Sequence, residues 1–241
     1  MRLSTVFMSA LLAASCGESN SATQPTQSAR TTGIVMTMPP LLKVGDTAQA
    51  LAIAILGNGE TRALSRGWRS DAPAVATVTT TGLVTAIANG VANISVASDD
   101  VQSGQSVRVV PNYHGRWTGT YLIDLCTSWP PGPSYIRFCN DYLPGTTFPL
   151  SMTFSQHGSL VSGQIVAGDL VSASFASALN ADGSVEAQAS TITPGFKYNF
   201  TWRLTVTRPG RIVGSVQLAR DGNAGAVGGA NIQGTILSLE Q

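Results

Sequence analysis

Chemistry in this chain must begin from three cysteines, Cys16, Cys126 and Cys139, two histidines, His114 and His157, and thirteen acids. A catalytic or metal centre needs such groups in close sets. Asp124 and Asp141 flank the Cys126/Cys139 pair, and paired carboxylates can do acid–base work or hold calcium. Acids in a polar loop are solvated by default, and His157, in the turn Gln156-His157-Gly158, suits a solvated role. No nucleophile elbow, P-loop, zinc-protease helix motif or dinucleotide fingerprint occurs. Residues 223 to 229 are glycine-rich but lack the helix and Lys that phosphate binding needs. The residues predict no enzyme, no metal site and no cofactor.

The cysteines have a different reading. Met1-Arg2 is a basic start, and the apolar run from Leu3 to Ala14 is too short to span a membrane, which takes about twenty residues. It fits a secretory signal over residues 1–15. The run ends at Ala13-Ala14-Ser15-Cys16-Gly17, which resembles a bacterial lipoprotein signal. That resemblance implies a lipidated Cys16, although Leu12 stands one place further from the Cys than the usual pattern has it; Ala13-x-Ser15 also suits ordinary signal cleavage. Gly17 rather than Asp after the Cys implies an outer-membrane or cell-surface address. Residues 16–32 are rich in Ser, Thr, Gln and Asn and cannot offset their ordering entropy; they read as a tether. In an exported chain Cys126 and Cys139 are expected to pair as a disulfide. The loop between them holds Trp129 and Tyr135 among prolines. Rigid aromatic loops are common recognition surfaces, so these two are the candidate binding residues. The alternative is that Trp129 folds over its own domain as a plug.

Charged residues make up 11% of the chain, against roughly 25% in ordinary globular proteins. The net charge is +1 and the lysines are Lys43 and Lys197. No basic cluster exists, which argues against a nucleic-acid partner. Gly, Ser, Thr, Ala and Val dominate without helical periodicity, the composition of an all-β extracytoplasmic protein.

Residues 33–111 carry the most specific pattern. Trp68 precedes the turn formers Ser70, Asp71 and Pro73, then a short strand Val75-Ala76-Thr77-Val78. Gly82 closes a tight connection, and Gly82-Leu83-Val84-Thr85-Ala86 returns. Together with Val44-Gly45-Asp46-Thr47 and Gly90 to Val96, this resembles the bacterial immunoglobulin-like domain, group 2. The resemblance implies a β-sandwich with Trp68 in its core, in a family used in surface and adhesion proteins. Leu51, Ile53 and Ile55 share one strand face, Ala92, Ile94 and Val96 another, and Val107 and Val109 a third. Asn58-Gly59 marks a hairpin. Without a Cys pair, the core must rest on Trp68 and the aliphatics.

After Pro111-Asn112 the aromatic content rises. In residues 112–241 inward faces read as Trp117, Tyr121 and Ile123; Leu150, Met152 and Phe154; and Tyr198, Phe200, Trp202, Leu204 and Val206. A motif of apolar, x, Gly, x, apolar recurs around Gly119, Gly163, Gly214 and Gly234. Glycine inside a strand marks a bend or a close approach, and its repetition suggests a coiled sheet of about eight strands closing into an antiparallel β-barrel. Gly115-Arg116-Trp117 is similar to the start of lipocalin-type barrels. A second β-sandwich is the alternative.

The expected protein is therefore all-β, an Ig-like sandwich followed by a barrel, held to a membrane by lipid. Its expected role is adhesion or binding of a glycan or protein ligand. The alternatives are a carrier or enzyme with its pocket inside the barrel, and a purely structural envelope lipoprotein. A filled barrel interior favours binding elsewhere; a hollow one favours a carrier.

Overall fold

The computed structural model describes residues 29–129, 138–168, 171–222 and 228–241. The Ig-like half holds β1 (Thr31–Thr37), β2 (Leu41–Lys43), β3 (Thr47–Gln49), β4 (Leu51–Leu56), β5 (Thr61–Ala63), β6 (Trp68–Ser70), β7 (Ala76–Val78), β8 (Leu83–Ala86), β9 (Gly90–Ser98) and β10 (Val101–Val110). They form three small sheets ordered β1-β4-β5, β2-β10-β9-β6 and β3-β8-β7. All pairs are antiparallel except β2 with β10. Asn58-Gly59 joins β4 to β5, and Gly82 enters β8 with φ +87°.

The core of this half gathers Leu42, Ala50, Ala76, Val84, Ala86, Ala92, Ile94, Val107 and Val109. Trp68 is half-buried and packs against it. A Cβ on Gly82 would come within 2.9 Å of the Trp68 ring and 2.8 Å of the Ala50 carbonyl, so this glycine makes room for the tryptophan. Strand β4 turns the other way from what its aliphatics suggest. Ala52, Ala54 and Leu56 are buried, whereas Leu51, Ile53 and Ile55 are exposed. A period of two defines two faces but not which faces inward.

The second half holds β11 (Gly115–Trp129), β12 (Thr147–His157), β13 (Leu160–Ala167), β14 (Val171–Ala178), β15 (Val185–Thr193), β16 (Phe196–Arg208), β17 (Arg211–Gly222) and β18 (Gly229–Glu240). These make one eight-stranded antiparallel sheet ordered β14-β13-β12-β11-β18-β17-β16-β15. Its edge strands β14 and β15 meet at a single Leu179–Val185 bridge beside their connecting turn. The Ser177 hydroxyl adds a hydrogen bond of 2.6 Å to the Glu186 carbonyl. The sheet is thus a nearly closed barrel, and the second sandwich is not formed. The repeated glycines serve close approach: a Cβ at Gly163 or Gly214 would strike the carbonyl of Thr153 or Arg203 on the next strand.

The barrel interior is packed with Trp117, Tyr121, Met152, Phe154, Ile165, Phe200, Trp202 and Ile232, all buried. Outward positions are mostly Ser, Thr, Asn, Gln or charged, with Leu125, Leu160, Val166, Ile192 and Leu237 scattered among them. A membrane-spanning barrel instead presents a continuous apolar band on its outside.

The segment joining the halves is itself structural. Tyr113 is fully buried, and its hydroxyl lies 3.0 Å from the Gly183 carbonyl and 2.9 Å from that of Leu204, sharing its one proton between them. The Tyr113 N–H donates to Gln156 Oε1 at 2.8 Å, and Gln156 Nε2 donates to the Pro111 carbonyl at 3.0 Å. Trp117 Nε1 donates to the Tyr113 carbonyl at 2.7 Å. One end of the barrel is thereby shut by the linker. Asn89 Nδ2 reaches the Asp182 carbonyl at 3.2 Å and Arg108 the Asn180 carbonyl at 3.3 Å, tying the Ig-like half to the β14–β15 turn.

Candidate functional site

The barrel interior is full. The space left among Tyr121, Leu150, Phe200, Trp202, Val216 and Ile232 is about 10 Å³, room for one water at most. Burial raises the Tyr113 hydroxyl above the ordinary tyrosine range and pushes that of Tyr121 up to about 12. Both are therefore neutral structural groups at physiological pH.

The end away from the linker is closed by other residues than expected. Cys126 and Cys139 form a disulfide with a Cα–Cα distance of 5.6 Å. It ties the helical turn at residues 138–141 to β11 and seats Phe138 in the core. The Arg220 guanidinium, buried in the mouth, lies 3.5 Å from the Phe196 ring centre and 4.6 Å from that of Phe138. A cation over aromatic faces is favourable, the more so when desolvated. Phe138, Tyr142, Phe148 and Tyr121 continue as an aromatic chain with ring centres 4.8, 5.1 and 5.8 Å apart. Phe138 and Arg220 do the plugging that Trp129 was a candidate for.

Trp129 points outward. Alternation along β11 turns Cys126 toward the core, so Thr127 and Trp129 face solvent, and Trp129 is 44% exposed. It pairs with Gly229, where a Cβ would come within 2.9 Å of the indole. The ring therefore lies across the Gly229 backbone, on the outer wall. Tyr135, its proposed companion, and Cys16 lie outside the described residues.

Strand register places two uncharged rows beside Trp129. One runs Ser190, Asn199, Ala219, Asn231, Thr127 across β15, β16, β17, β18 and β11. The next runs Gln188, Thr201, Gln217, Gln233, Leu125. The flanking rows are charged: Lys197 and Asp221 on the mouth side, Glu186 and Arg203 on the linker side. Asn199 Nδ2 donates to Asp221 at 3.4 Å. Two shallow depressions meet at Asn199 and Thr201: one of about 160 Å³ reaches Gln217, Asn231 and Gln233, and one of about 460 Å³ reaches Gln188, Ser190 and Ser174. The outward positions of β16 were legible in the sequence as the polar half of its alternation. Their alignment into rows depends on cross-strand register, which no local signal carries.

The other sequence candidates are not brought together. Asp124 accepts a 2.7 Å hydrogen bond from the Thr235 hydroxyl, and Asp141 sits on the helical turn. His114 belongs to the linker and His157 ends β12. Among the described residues no group of three His, Cys, Asp or Glu is placed to hold a metal.

Residues 33–109 match the family model of the bacterial Ig-like domain, group 2. No curated protein matches the chain. Domains of this family are typically extracellular or surface-exposed, and the match points to a surface or adhesion-type role.

Proposed function

We propose that this protein is a lipid-anchored surface protein of the outer membrane, in which the Ig-like domain is a spacer and the barrel binds a glycan or protein ligand without turning it over. Cys16 is the anchor in this reading, supported by the apolar run that ends at Ser15-Cys16-Gly17. Two or more acyl chains anchor stably where one is marginal. Labelled palmitate is expected in the wild type and absent from Cys16→Ser; equal labelling of both would remove the anchor.

The observation that carries the binding reading is Trp129. It is a large aromatic held half in solvent on the wall of a barrel whose own core is already filled. Tryptophan is enriched where binding energy concentrates. Cells displaying Trp129→Ala are expected to lose attachment to the surface, glycan or protein that wild-type cells bind, with the protein still folded. Unchanged attachment would move the site elsewhere, and turnover of a ligand at enzymatic rates would contradict binding without catalysis.

A further inference from the structure

We propose that the two uncharged rows on the outer wall of β15 to β18, edged by Trp129, bind a neutral polysaccharide chain. This rests on the reading of the barrel as a binder and names its ligand class.

The chemistry follows from what the rows present. A Gln or Asn amide carries both donors and an acceptor, which matches sugar hydroxyls, themselves donor and acceptor at once. Gln188, Gln217, Asn231 and Gln233 are exposed, and no hydrogen bond commits their side chains to another described residue. An aromatic face beside such a field is the apolar half of sugar recognition, since the ring can lie against the C–H face of a pyranose. Trp129 presents such a ring, held across Gly229 one row away.

Charge argues for a neutral ligand over an acidic one. The cation bordering the rows on the linker side, Arg203, is already engaged with Asp182 at 2.9 Å. Lys197, on the mouth side, faces Asp221 across the strands. The field is also not the general texture of a barrel poor in charge. On the far wall, β12 and β13 turn out serines, threonines, Pro149, His157, Leu160 and Val166, with Gln164 as the single outward amide. The amides are gathered on one side, over two adjoining depressions that give an extended chain a continuous path.

The test is affinity electrophoresis of the full chain carrying Cys16→Ser in gels containing mannan, mixed-linkage glucan, dextran or polygalacturonate. Retardation is expected in at least one neutral gel and not in polygalacturonate. Gln217→Ala with Gln233→Ala should weaken that retardation at least tenfold, with an unchanged melting curve. Gln164→Ala on the opposite wall should leave it intact. Retardation by polygalacturonate alone, retardation in no neutral gel, or a double variant that binds like the wild type would each overturn the proposal. If Trp129→Ala cells still lose attachment in those cases, the binding role stands and only the ligand class falls. If Trp129→Ala also leaves attachment unchanged, both fall.

Discussion

The Ig-like half fills its interior with alanines and medium aliphatics and leaves Leu51, at 62%, and Ile53, at 47%, open to water. The barrel half builds its interior on large aromatics and also leaves aliphatics open, Ile192 at 67% and Leu160 at 52%. Trp117 and Trp202 are 1% and 0% exposed, and amides and hydroxyls face outward. Fully burying a Leu or Ile stabilises by about 1.5–3 kcal/mol relative to leaving it in water. Both halves therefore forgo some hydrophobic stabilisation at their surfaces, and they differ in that the barrel core packs large aromatics where the Ig-like core packs alanines and aliphatics. A barrel packed this way has no interior to offer a ligand. A ligand of the barrel would have to meet its surface, where the exposed side chains of Gln188, Gln217, Asn231 and Gln233 make no hydrogen bond to another described residue.

Breaking the barrel core should have the largest effect. Trp202→Ala is expected to cost about 3–5 kcal/mol and to lower the barrel transition in calorimetry. Ile53→Ala in the Ig-like half should move its own transition by under about 0.5 kcal/mol, the ordinary range for surface changes. Equal losses would erase the contrast between the halves. Trp68→Ala falls between these, because the ring packs on the core but is only partly buried.

Opening the disulfide comes next. Closing a loop of this size is worth about 3 kcal/mol on the chain-entropy model. Cys126→Ser with Cys139→Ser should lower the barrel transition by that order and leave the Ig-like transition in place. A shift of both together would mean that the halves melt as one unit.

Tyr113→Phe leaves the Gly183 and Leu204 carbonyls without their donor, at about 1–3 kcal/mol. It also has a pH signature. Burial raises the folded Tyr113 above the ordinary value of 10.0. As pH rises past that value the unfolded chain releases a proton that the folded chain keeps. The stability contributed by the neutral hydroxyl is thus intact below about pH 10 and declines above it. The melting temperature of the wild type should fall more steeply between pH 10 and 11 than that of Tyr113→Phe. Parallel profiles would show that this hydroxyl is not the titrating group.

Much of this molecule could be read from the chain. Trp68, Gly82 and the strands around them located the Ig-like domain, and the alternation at Trp117, Met152 and Trp202 located the barrel core. Those signals are local. What escaped depends on distant partners. The inward face of β4 is chosen by what packs over it, so the alternation marked Leu51, Ile53 and Ile55 as one face without telling that it lies outside. Nothing local singled out Tyr113, whose carbonyl partners stand 70 and 91 residues away. The direction of Trp129 is set by the register of β11 on β18. The pairing of Gln217 with Gln233 likewise appears only once the strands are side by side.

The central claim is that ligand meets the outer wall at Trp129. Limited oxidation with N-bromosuccinimide, read by mass spectrometry at each tryptophan, tests it most directly. Trp129 is 44% exposed while Trp117 and Trp202 are closed off, so Trp129 should react ahead of both. The protein bound to a retarding neutral polysaccharide should then show Trp129 protected, with Trp68 unchanged. Oxidation of Trp129 at the same rate with and without bound ligand would contradict the account.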